Sequence, residues 1–114
     1  MHELSIALSL VELAREESLK HGGQVTAVHI KVGRLSGVVS EALMSCYAMA
    51  SADTPLDGSR LVIEDVPIIV FCARCESQFE PVGDIWFACP DCGESTPDVR
   101  QGRELQLVAL EIEE

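Results

Sequence analysis

The stretch that decides the fold is Cys72-Ala73-Arg74-Cys75, followed after thirteen residues by Cys89-Pro90-Asp91-Cys92. Two CxxC pairs at this separation bring four thiolates to one tetrahedral metal ion, and zinc is the first expectation. Gly93 follows the second pair directly and suits the turn of a tight loop. Because the segments 76–81 and 84–88 have room for two short strands and a turn, the spacing predicts a zinc ribbon.

Two other uses of these cysteines stay open. A redox disulfide would need only one CxxC pair, so two matched pairs disfavour it. Cys89-Pro90-Asp91-Cys92-Gly93 also resembles half of a rubredoxin iron site, but Glu76 stands after Cys75 where the matching glycine would be. With four cysteine ligands no coordination position stays open, so a zinc ion here is expected to be structural and not catalytic.

Composition limits the classes of protein that this chain can be. At 114 residues it is one domain plus at most a small module. The net charge of −11 argues against nucleic acid as a partner, because phosphate binding needs a basic surface. No apolar run approaches the roughly 20 residues that span a bilayer, and the amino end is acidic where a signal peptide is basic. We therefore expect no membrane association and a reducing cytoplasm, with Cys46 as a buried small hydrophobe.

Hydrophobic periodicity predicts two helices. Apolar residues recur at helical spacing from Leu4 to Lys20, and Gly22 is placed to end that helix. Ser40 is expected to cap a second helix that runs to about Ala52. The apolar stripe predicted for this second helix comprises Val39, Leu43, Cys46, Tyr47 and Ala50.

Alternating or extended segments predict three strands around the ribbon. They cover 25–32, 60–66 and 104–112, and apolar residues on both faces of the last suggest that it is the central strand of its sheet. His29, on the polar face of the first strand, is expected to be solvated and not a ligand. The predicted fold is α+β, with two helices on a small three-stranded sheet and an inserted zinc-ribbon module. The corresponding domains are 1–67 plus 101–114, and 68–100.

The amino terminus Met1-His2-Glu3 has a specific chelating geometry. The α-amine, the amide nitrogen of His2 and its imidazole Nδ1 form fused five- and six-membered chelate rings. Such nearly planar nitrogen sites suit Ni(II) or Cu(II) and not zinc. Amide nitrogens bind only after losing a proton, so occupancy should rise with pH. An exposed His2 without a task, and a Glu3 that simply interacts with the helix dipole, are the alternatives.

Several segments in unbroken order resemble the HypA/HybF family of nickel metallochaperones for nickel–iron hydrogenase maturation. The resemblance rests on the following segments, together with the two CxxC pairs: Met1-His2-Glu3-Leu4-Ser5, Val32-Gly33-Arg34-Leu35-Ser36-Gly37-Val38, Ile63-Glu64-Asp65-Val66-Pro67 and Gly102-Arg103-Glu104-Leu105. It runs from the first residue to about Glu113. Apart from the cysteine pairs, the segments are specific only in combination.

The resemblance implies a function and a set of ligands. It implies that Met1 through its amine, His2, and Glu3 through its backbone nitrogen hold Ni(II) as cargo. It implies that Cys72, Cys75, Cys89 and Cys92 hold structural zinc. The implied partners are a HypB-type GTPase, the hydrogenase large-subunit precursor and, for some members, urease maturation proteins.

Two other classes of protein remain open from the residues. A zinc-ribbon scaffold would bind partners without taking up nickel, and a redox or iron protein would be coloured or would titrate thiols without zinc release. An enzyme is not expected, because no nucleophile arrangement, carboxylate pair or open metal site is readable.

Overall fold

The computed structural model describes residues 2–81, 88–96 and 98–114. Within these ranges the chain forms two helices and six strands. In chain order they are α1 (Glu3–His21), β1 (Gln24–Gly33), α2 (Ser40–Ser51), β2 (Arg60–Val66), β3 (Ile69–Cys72), β4 (Ser77–Phe79), β5 (Asp98–Gln101) and β6 (Leu105–Glu113). Neither helix combines the length and hydrophobicity that a bilayer crossing requires.

The first sheet has the order β2-β1-β6, with β1 parallel to β2 and antiparallel to β6. The expectation that the last strand is central was therefore wrong. β6 lies at an edge, and apolar residues that suggested burial on both faces, such as Val108, remain exposed. β1 is central because it buries most of its residues and finds partners on both sides, which the strict alternation of its sequence did not reveal.

Both helices pack on one face of this sheet and form the main hydrophobic core with it. The sheet contributes mainly alternate residues of β1, which share one face. The most buried members of this core are Ala7, Ala14, Val28, Ile30, Leu43 and Leu56. The predicted α+β architecture, two helices on a three-stranded sheet, is confirmed.

The ends of the helices differ slightly from expectation. Helix α1 ends as predicted, where Gly22 adopts a φ of 67° and its N–H donates to the carbonyl of Ser18 at 2.9 Å. The predicted cap of α2 by Ser40 was wrong, because the extended residue ahead of that helix is Val39. Ser40 is already helical, and its hydroxyl donates to Asp65 at 3.5 Å instead. Val39 is 59% exposed and does not belong to the buried stripe.

A second sheet, of order β4-β3-β5, carries the cysteine loops. Strand β3 pairs antiparallel with both neighbours, and Cys72 at its end pairs with Ser77. Strand β4 confirms the strand predicted for 76–81. The strand predicted for 84–88 lies outside the described residues except for Ala88, which forms an isolated antiparallel bridge with Ser95.

The two sheets meet at the end of β1 and the residues directly after it. The Gly33 N–H donates to the carbonyl of Glu104 at 2.7 Å, and the Leu35 N–H donates to the carbonyl of Gly102 at the same distance. The Arg34 N–H donates to Val66 at 3.1 Å. Both chain crossings between the sheets are therefore hydrogen-bonded to one short segment, 33–35.

Candidate metal centre

Four cysteine sulfur atoms converge at the end of the second sheet. The Sγ atoms of Cys72, Cys75, Cys89 and Cys92 all lie within 4.8 Å of one another. Cys72 and Cys92 are 3.6 Å apart, and Cys75 and Cys89 are 3.8 Å apart. Within the described part of the chain, this is the only such cluster of metal-binding side chains.

These distances fit a tetrahedral zinc ion. With a Zn–S bond of about 2.3 Å, the sulfur atoms of a regular tetrahedron are separated by about 3.8 Å. The Cys72–Cys92 and Cys75–Cys89 pairs match this separation, and soft thiolate ligands suit zinc. Because the cluster contains four sulfurs, it has no position for a substrate or water in tetrahedral coordination. It is therefore suited to holding the segment together and not to catalysis.

Each CxxC pair sits on a tight backbone loop. The first joins β3 to β4, so the hydrogen bonding of that hairpin places Cys72 and Cys75. The second loop closes through two backbone hydrogen bonds of 2.9 Å, from the Cys89 N–H to Glu94 and from the Gly93 N–H to Cys89. Backbone hydrogen bonds thus contribute to the placement of both loops.

The residue after each pair has a left-handed backbone. Gly93 has a φ of 76°, and Glu76 in the corresponding place has a φ of 51°. The sequence has no glycine after Cys75, and this disfavoured an iron-type loop. Glu76 nevertheless adopts the same left-handed conformation as Gly93. A non-glycine residue in this region carries a steric cost of roughly 1–2 kcal/mol. Sequence reasoning missed this feature because Glu is not a residue type that favours a positive φ.

The four thiols influence each other's protonation. Hydrogen bonding to Cys92 and Cys89 raises the pKa of Cys75 to about 12. The backbone N–H of Cys92 lowers the pKa of Cys89 to about 7. The loop amides thus stabilise the thiolate of Cys89. The neighbouring sulfurs, by contrast, oppose the deprotonation of Cys75. A divalent cation relieves this competition, because metal ligation stabilises the deprotonated form of every thiol.

The structure also shows contacts around the cluster that the sequence did not suggest. Arg74 and Glu94 form an ion pair at 3.2 Å, which links the loop of the first CxxC pair to that of the second. The guanidinium of Arg100 lies 4.2 Å from the ring centroid of Phe71 in β3. These pairs join positions far apart in the chain, so no local pattern could have indicated them.

The residues of the predicted nickel site are only partly described. Met1 lies outside the described residues. His2 is exposed, has an extended backbone and precedes the first residue of α1, while Glu3 is that first residue and half-buried. The His2 side chain makes no capping hydrogen bond to the helix. His2 and Glu3 are separate from the cysteine cluster, which contains only sulfur ligands among the described residues.

Two further sequence expectations concern single residues. Cys46 is half-buried and packs against the main core, as expected of a small hydrophobe. His29 is partly exposed on the sheet face opposite the helices, and its Nε2 lies 2.7 Å from Glu111. It thus has a protein partner and is less solvated than expected.

Comparison with known proteins identifies the family. Residues 1–112 match the family model described as hydrogenase/urease nickel incorporation, metallochaperone, HypA. A hydrogenase maturation factor HypA from Roseiflexus sp. is 47% identical over 115 residues, covering 100% of this chain and 94% of the relative. Another, from Chloroflexus aurantiacus, is 43% identical over 97% of this chain and 98% of the relative.

Solved structures give the same fold. The solution structure of the Ni metallochaperone HypA from Helicobacter pylori aligns with a TM-score of 0.68 at 24% identity, over 98% of this chain and 97% of that one. A second HypA solution structure aligns with a TM-score of 0.73 at 24% identity, over 98% of this chain and 96% of that one. The chain therefore belongs to the HypA family of nickel metallochaperones for hydrogenase maturation, and it is a maturation factor and not an enzyme.

Proposed function

We propose that this chain carries Ni(II) at its amino terminus and delivers it during the maturation of nickel–iron hydrogenase. The ligands would be the Met1 amine, the amide nitrogen and imidazole of His2, and the backbone nitrogen of Glu3. The observation that carries this assignment is the position of His2, exposed and immediately ahead of the first helical residue.

Because the proposed site lies at the start of a helix, its amide nitrogens can bind nickel without the loss of intrahelical hydrogen bonds. The first four N–H groups of a helix have no carbonyl partner within the helix. The nitrogens of His2 and Glu3 belong to this region, so deprotonating them to bind nickel breaks no intrahelical hydrogen bond. The first helical bond near this end is donated by Ile6 to the carbonyl of His2, at 3.3 Å. A nickel chelate through the two preceding nitrogens is compatible with an intact α1.

The exposure of the site suits a carrier. A metallochaperone must release its ion to an acceptor, and a terminal chelate can be approached from solvent. By contrast, Cys72 and Cys89 are buried, Cys92 is half-buried and Cys75 alone of the four cysteines is exposed. We therefore assign exchangeable nickel to the terminus and structural zinc to the four cysteines, with Cys75 and Cys92 completing the zinc ligands.

We propose that the two metals belong to two domains. The nickel-binding α+β domain would comprise residues 1–67 and 101–114, and the zinc ribbon residues 68–100. The two separate three-stranded sheets support this division. Membership of the family places the chain among the hydrogenase maturation machinery. Its finer partners are proposed to be a HypB-type GTPase and the hydrogenase large-subunit precursor, with urease maturation proteins as further candidates, in a reducing cytoplasm.

The test is Ni(II) titration by calorimetry on zinc-loaded protein with a free amino terminus. We expect one nickel ion per chain, and we expect His2→Ala or an added N-terminal tag to abolish tight binding while zinc content stays at one per chain. His21→Ala is the matched control, because His21 is an exposed histidine at the other end of the same helix. It should bind nickel like the unmodified protein.

The spectrum of the nickel-loaded protein gives a second readout. A planar nitrogen site predicts the absorption of square-planar Ni(II), growing as the pH rises because amide protons must leave. Tight nickel binding that survives both His2→Ala and the tag would refute the assignment. So would a spectrum dominated by thiolate ligation.

A further inference from the structure

The crossing between the two sheets concentrates positive charge in an acidic chain. The end of β1 and the residues after it, 31–35, are hydrogen-bonded to the segment 100–106, which leads from β5 into β6. Half of the eight lysines and arginines of the chain lie in these two segments, namely Lys31, Arg34, Arg100 and Arg103. Of the nineteen acidic residues, only Glu104 lies there. Cations are therefore gathered where both chain crossings meet.

Arg34 and Arg103 lie opposite each other at this crossing. The two backbone hydrogen bonds of 2.7 Å donated from 33–35 bracket them, one on each side. Their positions continue the register in which Val32 faces Leu105. Directly opposite residues of antiparallel chains have Cα atoms about 4.5 to 5.5 Å apart, and like charges at such positions repel each other. The fold therefore places two like charges on neighbouring backbones.

No carboxylate of the described residues neutralises these two arginines. Both side chains are exposed, and within the described part of the chain neither forms an ion pair. Glu104 follows Arg103 directly, but its carboxylate accepts a hydrogen bond from the Gly102 N–H at 2.7 Å. The charges of Arg34 and Arg103 thus remain available to an external anion.

An open cavity of about 290 Å³ lies beside Arg103, and its walls include Arg100 and Gln106. Arg100 is held by two hydrogen bonds to Asp98, of 2.9 and 3.0 Å, so its guanidinium is fixed in place. Gln106 is registered against Lys31, which adds a further cation next to this wall. The volume is at the lower end of the range for small-molecule sites, so the cavity suits one side chain better than a cofactor.

We propose that Arg34 and Arg103 form a binding site for the carboxylates of an acidic peptide segment on a partner protein, with one side chain of that segment in the cavity. Guanidinium groups bind carboxylates through paired N–H donors, and such contacts are stronger than hydrogen bonds between neutral groups. An anion at the two arginines also reduces their mutual repulsion. The site is therefore more stable when it is occupied.

The charge of the whole chain decides which kind of anion fits. With a net charge of −11, the protein repels an extended polyanion such as a nucleic acid, which would contact a long surface. A short acidic segment needs only the local cluster of cations. A small inorganic ion would bind weakly at exposed guanidinium groups, because water competes for both partners. A peptide adds backbone and side-chain contacts in the cavity.

The test is an NMR titration of isotope-labelled, zinc-loaded protein at low salt and without nickel, so the result does not depend on the nickel assignment. The probe is a short acetylated and amidated peptide of glutamates flanked by glycines. We expect saturable shifts of the backbone amides of 33–35 and 102–106. Raising the salt from about 20 to 200 mM should weaken the binding, because exposed charges are screened. The same peptide with glutamines should cause none of these shifts.

Substitutions assign the binding to the two arginines. Arg34→Gln and Arg103→Gln should each raise the dissociation constant about fivefold to thirtyfold, as expected for the loss of one charge-assisted contact. Arg15→Gln is the matched control, because Arg15 is an exposed arginine of α1 for which the described residues contain no ion pair. It changes the net charge by the same amount and should leave the affinity nearly unchanged.

Thermal unfolding separates a binding role from a structural one. Because Arg34→Gln and Arg103→Gln each remove one of two opposed like charges, each should raise the melting temperature without peptide by about 1 to 5 °C. Binding and stability thus change in opposite directions. A lower melting temperature for both variants, or a peptide affinity that survives both substitutions, overturns the proposal. Inorganic phosphate that binds more tightly than the peptide also overturns it, because the cluster would then be a site for a small oxyanion.

Discussion

His29 in β1 and Glu111 in β6 form a hydrogen bond across the first sheet, with Nε2 and Oε2 2.7 Å apart. Arg60 in β2 donates to the same carboxylate oxygen at 3.3 Å. The hydrogen bond from His29, followed by the charge of Arg60, lowers the pKa of Glu111 below its usual 4.5. One carboxylate thus connects all three strands on the face that the helices leave open.

This contact predicts an acid sensitivity. Because the pKa of Glu111 is lower in the folded chain, its contribution to stability is complete above the unfolded pKa of about 4.5. That contribution is lost as the pH falls through the lower folded value. When the pH is lowered from neutrality to below the folded pKa of Glu111, the melting temperature of Glu111→Gln should therefore fall less than that of the unmodified protein.

The appropriate control is Glu113→Gln, an exposed glutamate in the same strand for which no ion pair occurs among the described residues. Its acid sensitivity should match that of the unmodified protein. Equal pH profiles for all three proteins, measured at low concentration, would contradict a stabilising role for the contact.

Gly33→Ala should destabilise the protein strongly. A Cβ at this position would meet the carbonyl of Gly102 well inside van der Waals contact, and both partners there are backbone atoms that cannot rotate away. We expect a loss of about 3 kcal/mol in the free energy of unfolding, measured by urea denaturation. Gly58→Ala is a useful comparison, because Gly58 has open space around it and only its φ of 85° opposes a side chain. If Gly33→Ala lowers the free energy of unfolding no more than Gly58→Ala does, the backbones of Gly33 and Gly102 can move apart.

The two positive-φ positions of the cysteine loops should respond in opposite directions. Gly93→Ala places a side chain where φ is 76°, in open space, so the expected cost is about 1 kcal/mol from backbone strain alone. Glu76→Gly relieves the strain at a φ of 51° and should leave stability unchanged or raise it by up to about 1 kcal/mol. Unfolding of the zinc-loaded variants gives both values. A clear loss of stability for Glu76→Gly would mean that its side chain has a role that outweighs the strain.

Removing zinc should affect the second sheet selectively. A chelator should increase amide hydrogen exchange in β3, β4 and β5, because their small sheet lies outside the main core and depends on the cysteine loops. The main core should stay protected. Cys75→Ser should release zinc to a chelator that leaves the unmodified protein loaded, whereas Cys46→Ser should retain its zinc because Cys46 lies in α2, away from the cluster. Loss of protection throughout the chain would show that the two sheets fold as one unit.

Local patterns were sufficient for much of the molecule. The 3.6-residue period located α1 within one residue at each end, and the strand 60–66 matched β2 without error. The spacing of the cysteines predicted the four-sulfur cluster, since a CxxC loop is a local structure that orients both of its sulfurs. The proposed nickel chelate at Met1-His2-Glu3 rests on covalent connectivity, so it could be proposed before any fold was known.

Other features depend on competition between distant segments. Whether β1 or β6 is central is decided by which strand finds a partner on both edges, and no residue within either strand encodes that choice alone. The left-handed backbone of Glu76 is imposed by the β3–β4 hairpin in which it lies, against the preference of its own side chain.

The sequence by itself determined the four thiols for one ion and most of the helices and strands around them, and it alone carries the proposed nitrogen chelate at residues 1–3. These depend on covalent spacing and on periodicities of a few residues. Only the tertiary structure decided which strand edge stays open, and that the Gly33 backbone contacts Gly102. It also placed Glu111 within reach of His29 and Arg60. Such contacts join residues more than fifty positions apart, and the energy that selects them comes from packing the whole chain.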